Sequence, residues 1–153
     1  MEDGRYNVAK DSMGAEPTPV VLRIAAWSGR GTLSARPEGI PAERRRTPIA
    51  PGVWDDCHFW KDRMGDRAGM NWFDARIGWS CRDLERVHVQ SIGRAKGAGW
   101  FELSLAWKGD SVPSAILVTD RWHEEDREWF EAAGGDLARL LGVPYQFYFG
   151  ADA

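Results

Sequence analysis

Cysteine is scarce in this chain of 153 residues: only Cys57 and Cys81 are present, too few for a framework of disulfide bridges. No stretch approaches the run of about 18 apolar residues that a membrane-spanning helix needs, so no span is expected. The start, Met1-Glu2-Asp3-Gly4, is acidic and leads into no apolar segment. A secretory signal is therefore not expected, and both thiols are expected to be reduced in a cytoplasmic protein. An excess of positive charge is missing too. A net charge of −3 with a pI near 5.6 argues against nucleic acid or an anionic membrane as partner of the whole chain. The sequence has no internal repeat. At this length one domain is expected, large enough to bury roughly 68–70% of its unfolded surface.

What is present is a pattern of alternating strands. Phe101, Leu103, Leu105 and Trp107 alternate with Trp100, Glu102, Ser104 and Ala106, which predicts a strand with one buried face. Lys108-Gly109-Asp110 is turn chemistry, and Ala115 to Val118 supplies the returning strand. Val87 and Val89 alternate with Arg86, His88 and Gln90, and a glycine-rich loop, Gly93 to Gly99, joins that strand to the next. Earlier, Phe73, Ala75, Ile77 and Trp79 alternate with polar residues. So do Val20, Leu22, Ile24 and Ala26, which Ser28-Gly29 would turn back into 32–36 as a hairpin. Tyr145 to Phe149 alternates weakly and fits a sheet edge.

One helix is expected near the C-terminus. Trp122, Trp129, Phe130, Ala133, Leu137, Leu140 and Leu141 fall on one stripe, Thr119 and Asp120 offer caps, and Glu124, Glu125 and Asp126 suit the first turn. Gly142 and Pro144 supply a sharp stop. Gly134 and Gly135 sit inside, each costing about 1 kcal/mol against Ala, which suggests a kink or a close backbone approach. A second, short helix is expected near 53–64, where Val53, Trp54, Cys57, Trp60 and Met64 share a helical spacing and Gly65 follows. Residues 1–17 read as a flexible tail, 18–149 as a single domain, and the proline-bearing segment 36–51 as a loop within it.

The polar constellations have ordinary explanations. Asp55-Asp56-Cys57-His58 lacks the spaced pairs of a zinc site, so no metal and no cofactor is expected. His123 is followed by Glu124, but Arg127 stands where H-E-x-x-H needs its second histidine. His88 has no nucleophile elbow beside it, and a pairing with Cys81 would depend on the fold. Gly93-Arg94-Ala95-Lys96-Gly97-Ala98-Gly99 leads into a strand rather than a helix, so it is better read as a hairpin loop, with Arg94 and Lys96 as candidate anion contacts. Arg44-Arg45-Arg46 is better read as solvated.

Tryptophan is the anomaly. The chain has nine, half of its aromatic residues, and three of them (Trp27, Trp72 and Trp100) fall on the polar phase of their strands. Either a second layer covers them or they form an aromatic contact surface, since an exposed indole offers rigid area and one donor.

Glu102-Leu103-Ser104-Leu105, then the helix, then Leu137-Ala138-Arg139-Leu140-Leu141-Gly142-Val143-Pro144 resembles the end of bacterial pleckstrin-homology-like domains. The resemblance covers only the last third or so of the chain, and a helix near 54–64 departs from that fold's strand order. It implies a non-catalytic barrel used for binding.

The expected fold is α+β: an antiparallel twisted sheet or partial barrel of about six strands with a long C-terminal helix. The expected function is a non-enzymatic module recognising a partner protein, in the manner of an inhibitor or immunity factor, with Trp27, Trp72, Trp100, Arg94 and Lys96 as contacts. The alternatives are a small-ligand or carbohydrate binder with a tryptophan-lined pocket, or a hydrolase using His58 or His88 with nearby acids or thiols.

Overall fold

The computed structural model describes residues 20–23, 27, 29–47, 58–62, 65–72 and 75–151. The expected tail, 1–17, lies outside them. The described residues form ten strands and one α-helix. They are β1 (Val20–Arg23), β2 (Leu33–Ala35), β3 (Arg45–Thr47), β4 (His58–Lys61), β5 (Arg67–Trp72), β6 (Ala75–Ser80), β7 (Leu84–Gly93), β8 (Trp100–Trp107), β9 (Ser114–Thr119), α1 (Arg127–Leu141) and β10 (Tyr145–Ala151). Two five-stranded sheets result, ordered β1-β4-β5-β6-β3 and β10-β7-β8-β9-β2. Every pairing is antiparallel except that of β10 with β7, which is parallel because α1 carries the chain back before β10 begins.

The alternation expected for β7, β8 and β9 is the frame of the second sheet. Val87, Val89, Phe101, Leu103, Leu105, Trp107 and Leu117 are buried on the face that α1 covers with Phe130, Ala133, Leu137 and Leu141. Phe59, Met70, Ile77 and Trp79 of the first sheet join the same core, where Trp79 meets Trp107 edge to face at 6.2 Å. Lys61 Nζ donates to the carbonyl of Leu140 at 3.2 Å, tying β4 to the end of the helix. Gly142 ends α1 in the left-handed region (φ 71°), its N–H bonded to Arg139 O while that of Val143 returns to Ala138 O. The last carbonyls are thus satisfied by a Schellman turn.

Gly134 is the place of closest approach rather than a kink. A Cβ there would lie 2.6 Å from Val89 Cγ2 and 2.7 Å from Tyr145 Cε1, whereas Gly135 has open space beside it.

Several expectations are corrected. The sheets do not close into a barrel, and about six strands undercounts them, because β2 and β3 are three residues each, too short for periodicity to register. Residues 58–61 are strand, not helix. Phe59, which lies off the expected helical stripe, is fully buried, and β4 gains ladders with both β1 and β5. Val53 to Cys57 and Met64 lie outside the described residues. No hairpin joins β1 to β2, which belong to different sheets; β1 pairs with β4 and β2 with β9.

The helix also starts later than expected. Thr119 Oγ accepts from Phe101 N–H at 2.9 Å and Asp120 Oδ1 from Thr32 N–H at 2.8 Å, so both side chains hold strands together instead of capping. Glu124–Asp126 form a 3₁₀ turn leading into α1. Trp122 precedes it and lies flat on Phe101, 6.1 Å between ring centres.

Candidate functional site

The residues singled out in the sequence do not converge. Trp27 is half-buried, edge-on to Trp129 (5.1 Å) and Phe130 (6.0 Å), and its Nε1 donates to Gly31 O at 3.1 Å. Trp72 ends β5 opposite Ala75, and its side chain lies outside the description. Trp100 opens β8 on the face of the sheet away from α1, donating from Nε1 to Glu102 Oε1 at 2.8 Å. Arg94 lies over Trp122 at 5.8 Å, on the other face from Trp100, with Lys96 exposed in the same loop. The arginine run is not an open patch either. Arg44 pairs with Asp83 and Asp110 and covers Trp107, and Arg45 donates to Ile40 O at 2.9 Å.

Among the described residues, the histidines and Cys81 have separate surroundings as well. His58 is 1% exposed with its Nε2 3.2 Å from Asn71 Nδ2. Burial pushes the Cys81 thiol up, among Lys61, Asp62 and Asp66, while His88 lies among Arg86, Glu85 and Glu102. His88 is only 5% exposed although it sits on the outer face of β7. Arg86 Nε donates to its Nε2 at 3.0 Å, so the proton of the neutral ring is on Nδ1, which has no partner among the described residues. Burial, and then the Arg86 charge, hold its pKa below the ordinary histidine value. Glu102 is already occupied, accepting from Trp100, Ser104 Oγ (2.7 Å) and Gln90 Nε2 (3.3 Å). Trp100, Ser104 and Gln90 are thus paired on Glu102, beside a neutral ring that keeps one unpartnered N–H among the described residues. Among the described residues no three His, Cys, Asp or Glu side chains gather as a metal site would require.

The feature with unspent capacity is the edge of β10. This strand is the last of its sheet and, among the described residues, pairs only with β7. Its sequence, YQFYFGA, has neither charge nor proline to discourage another strand. Phe149 is 69% exposed and Tyr148 37%. Tyr148 rests on His88 at 5.0 Å, while Phe147 and Phe149 meet edge to face at 4.7 Å on the opposite side. There the Arg127 guanidinium lies 4.6 Å from the Phe149 ring centre and 5.3 Å from that of Phe147.

The ladder direction fixes which backbone groups are free. Val87 N–H donates to Pro144 O at 3.0 Å, starting the parallel ladder with the residue before Tyr145. Residues of a strand alternate in the edge they address. Gln146, Tyr148 and Gly150 thus spend their N–H and C=O on β7, while Tyr145, Phe147, Phe149 and Ala151 present theirs outward.

Beside this edge runs an open groove along α1, lined by Glu124, Glu125, Arg127, Glu128, Glu131 and Ala132. Arg127 belongs to both features, and it pairs with Glu124 at 3.1 Å. Glu131 is near enough to Tyr145 to act on its phenol, whose pKa is pushed up to about 12 mainly by burial and then by that carboxylate. The spacing of 124, 128 and 131 is that of one helix face, a signal present in the sequence but indistinguishable there from a solvated first turn.

The chain matches no protein-family model, no curated protein and no solved structure. No helix among the described residues is long and apolar enough to cross a membrane.

Proposed function

We propose that this chain is a non-catalytic interaction module that docks an extended segment of a partner protein along β10. The observation that carries this reading is a seven-residue aromatic edge strand with one row of backbone groups unpaired among the described residues and Phe149 69% exposed. Such an edge is a template for strand addition, in which main-chain hydrogen bonds supply affinity and alternate side chains supply selectivity. Covering Phe149 adds about 1.5–3 kcal/mol to whatever the ladder contributes. Tryptophan stacking on a sugar or small ligand is less well supported, because the indole N–H groups of Trp27 and Trp100 are already spent inside the chain.

The test is a photo-crosslinking amino acid placed at Phe149 in one version of the chain and at Val112, another exposed apolar residue (73%), in a second. Irradiated in the cells of origin, the Phe149 version should give a discrete protein-sized adduct and the Val112 version should not. Equal yields from both positions, or no adduct at Phe149, would refute the proposal.

A further inference from the structure

We infer that the segment taken up along β10 is basic, an extended strand carrying Lys or Arg at alternate positions; this rests on the docking role proposed for that edge. A strand added to a sheet keeps the side-chain direction of its neighbour, so every second side chain of the guest projects to the side of Phe147 and Phe149. That is the side on which α1 lies, since Arg127 of the helix covers both rings. The groove there holds four glutamates, Glu124, Glu125, Glu128 and Glu131, against one arginine. Arg127 is already committed to the two rings and to Glu124. Glu128 and Glu131 are exposed and enter no ion pair with a described residue.

A Lys or Arg on the guest therefore meets unspent carboxylates, whereas an acidic guest meets repulsion. The other side of β10 offers Gln146, Tyr148 and the neutral ring of His88, which impose no charge requirement. A second copy is the natural competitor for an open edge. It would bring the same four glutamates toward their equivalents and would offer no free cation from its own β10, whose sequence is uncharged. Charge complementarity thus selects a basic partner strand over self-pairing.

The experiment uses the ¹⁵N-labelled full chain and three heptapeptides, alternating Lys and Val, Ser and Val, or Glu and Val. The Lys peptide should shift the amides of Phe147, Phe149 and Ala151 and slow their exchange with solvent, with the Ser peptide weaker and the Glu peptide inert. In Glu128→Lys/Glu131→Lys, affinity for the Lys peptide should fall by about tenfold or more, and by less in Glu128→Gln/Glu131→Gln. Unchanged resonances in the first sheet verify folding of both variants. Equal binding of Lys and Ser peptides, indifferent to the charge reversal, would overturn the basic partner while leaving strand docking intact. If no peptide perturbs the three amides, both readings fall. Concentration-dependent dimerisation through the same amides would overturn the inference in favour of a second copy.

Discussion

Ala in place of Gly134 should destabilise the chain, while Ala in place of its neighbour Gly135 should stabilise it. Both changes gain the same helix propensity, about 1 kcal/mol per Gly→Ala exchange. They differ in what the new methyl meets. At 134 it would stand 2.6 Å from Val89 Cγ2 and 2.7 Å from Tyr145 Cε1, nearly 1 Å inside ordinary carbon–carbon contact, and at 135 it meets nothing within 4 Å. Val89 is fully buried at the centre of β7 and cannot withdraw, so α1 must lift or Tyr145 must turn. Forcing an extra carbon into a packed core costs about 1–3 kcal/mol. The net expectation is a loss of up to about 2 kcal/mol for Gly134→Ala and a gain of up to about 1 kcal/mol for Gly135→Ala. Urea unfolding with a shared m-value gives the difference directly, and for a chain of this length each kcal/mol moves Tm by about 2–4 °C. Equal stabilisation by the two exchanges would refute the close approach, and with it the placement of Glu128 and Glu131 beside β10.

Phe149→Pro should leave stability within about 0.5 kcal/mol, because the lost N–H faces outward, whereas Tyr148→Pro removes a bond to β7 and should cost at least about 1 kcal/mol more; thermal unfolding of the pair checks the ladder assignment. Acidification should unfold the chain partly through His88. Its folded pKa is depressed, so below the ordinary histidine value of 6.5 the unfolded state binds the extra proton and stability falls with pH, a slope that His88→Gln should flatten in urea titrations at successive pH values. Tyr145 acts at the other extreme: its phenol ionises at about 10 unfolded and about 12 folded, so stability should fall as pH rises through that window, and Tyr145→Phe should remove the effect. Trp27→Ala should lower stability by about 2–3 kcal/mol through loss of the contacts to Trp129 and Phe130, measured by denaturant unfolding, and should leave strand docking at β10 unchanged.

The second sheet was legible because its strands are long and its faces differ. Eight residues of β8 alternate cleanly, and the turn Lys108-Gly109-Asp110 places the next strand within reach. The first sheet was legible only in part: alternation marked the segments that hold β1 and β6, but β4 is four residues long, short enough that its apolar positions satisfy a helical and a strand spacing equally, and pairing between segments far apart in sequence decides the outcome. Residues 58–61 show this, Trp60 fitting a helical spacing that the ladders of β4 with β1 and β5 override. Tryptophan was ambiguous in another way. Polar phase alone left cover and contact surface equally open, and the structure adds that Trp27 and Trp100 each give their one polar atom a partner within the chain, with the Trp27 ring packed on Trp129 and Phe130. The run Tyr145 to Phe149 was placed correctly at an edge, but its parallel pairing, which frees the odd-numbered backbone groups, depends on the helix returning the chain to β7.

An uncharged aromatic edge is a hazard unless something limits what it accepts, and the sequence of β10 itself contains no such device. The limit is supplied by the preceding element. α1 can do this because Gly134 lets it sit against Val89 and Tyr145, which goes with Arg127 over the rings of Phe147 and Phe149 and Glu131 near Tyr145. Arg127 covers the two phenylalanine rings and so reduces the apolar area open to a chance neighbour. The glutamates then impose a charge on any guest that reaches the backbone. A single glycine thus sets the helix height, the helix height sets the charge at the edge, and that charge separates a basic partner from a second copy. On this account Gly134→Ala should weaken discrimination between Lys and Ser peptides even in the fraction of chains that remain folded, and Gly135→Ala should leave it unchanged.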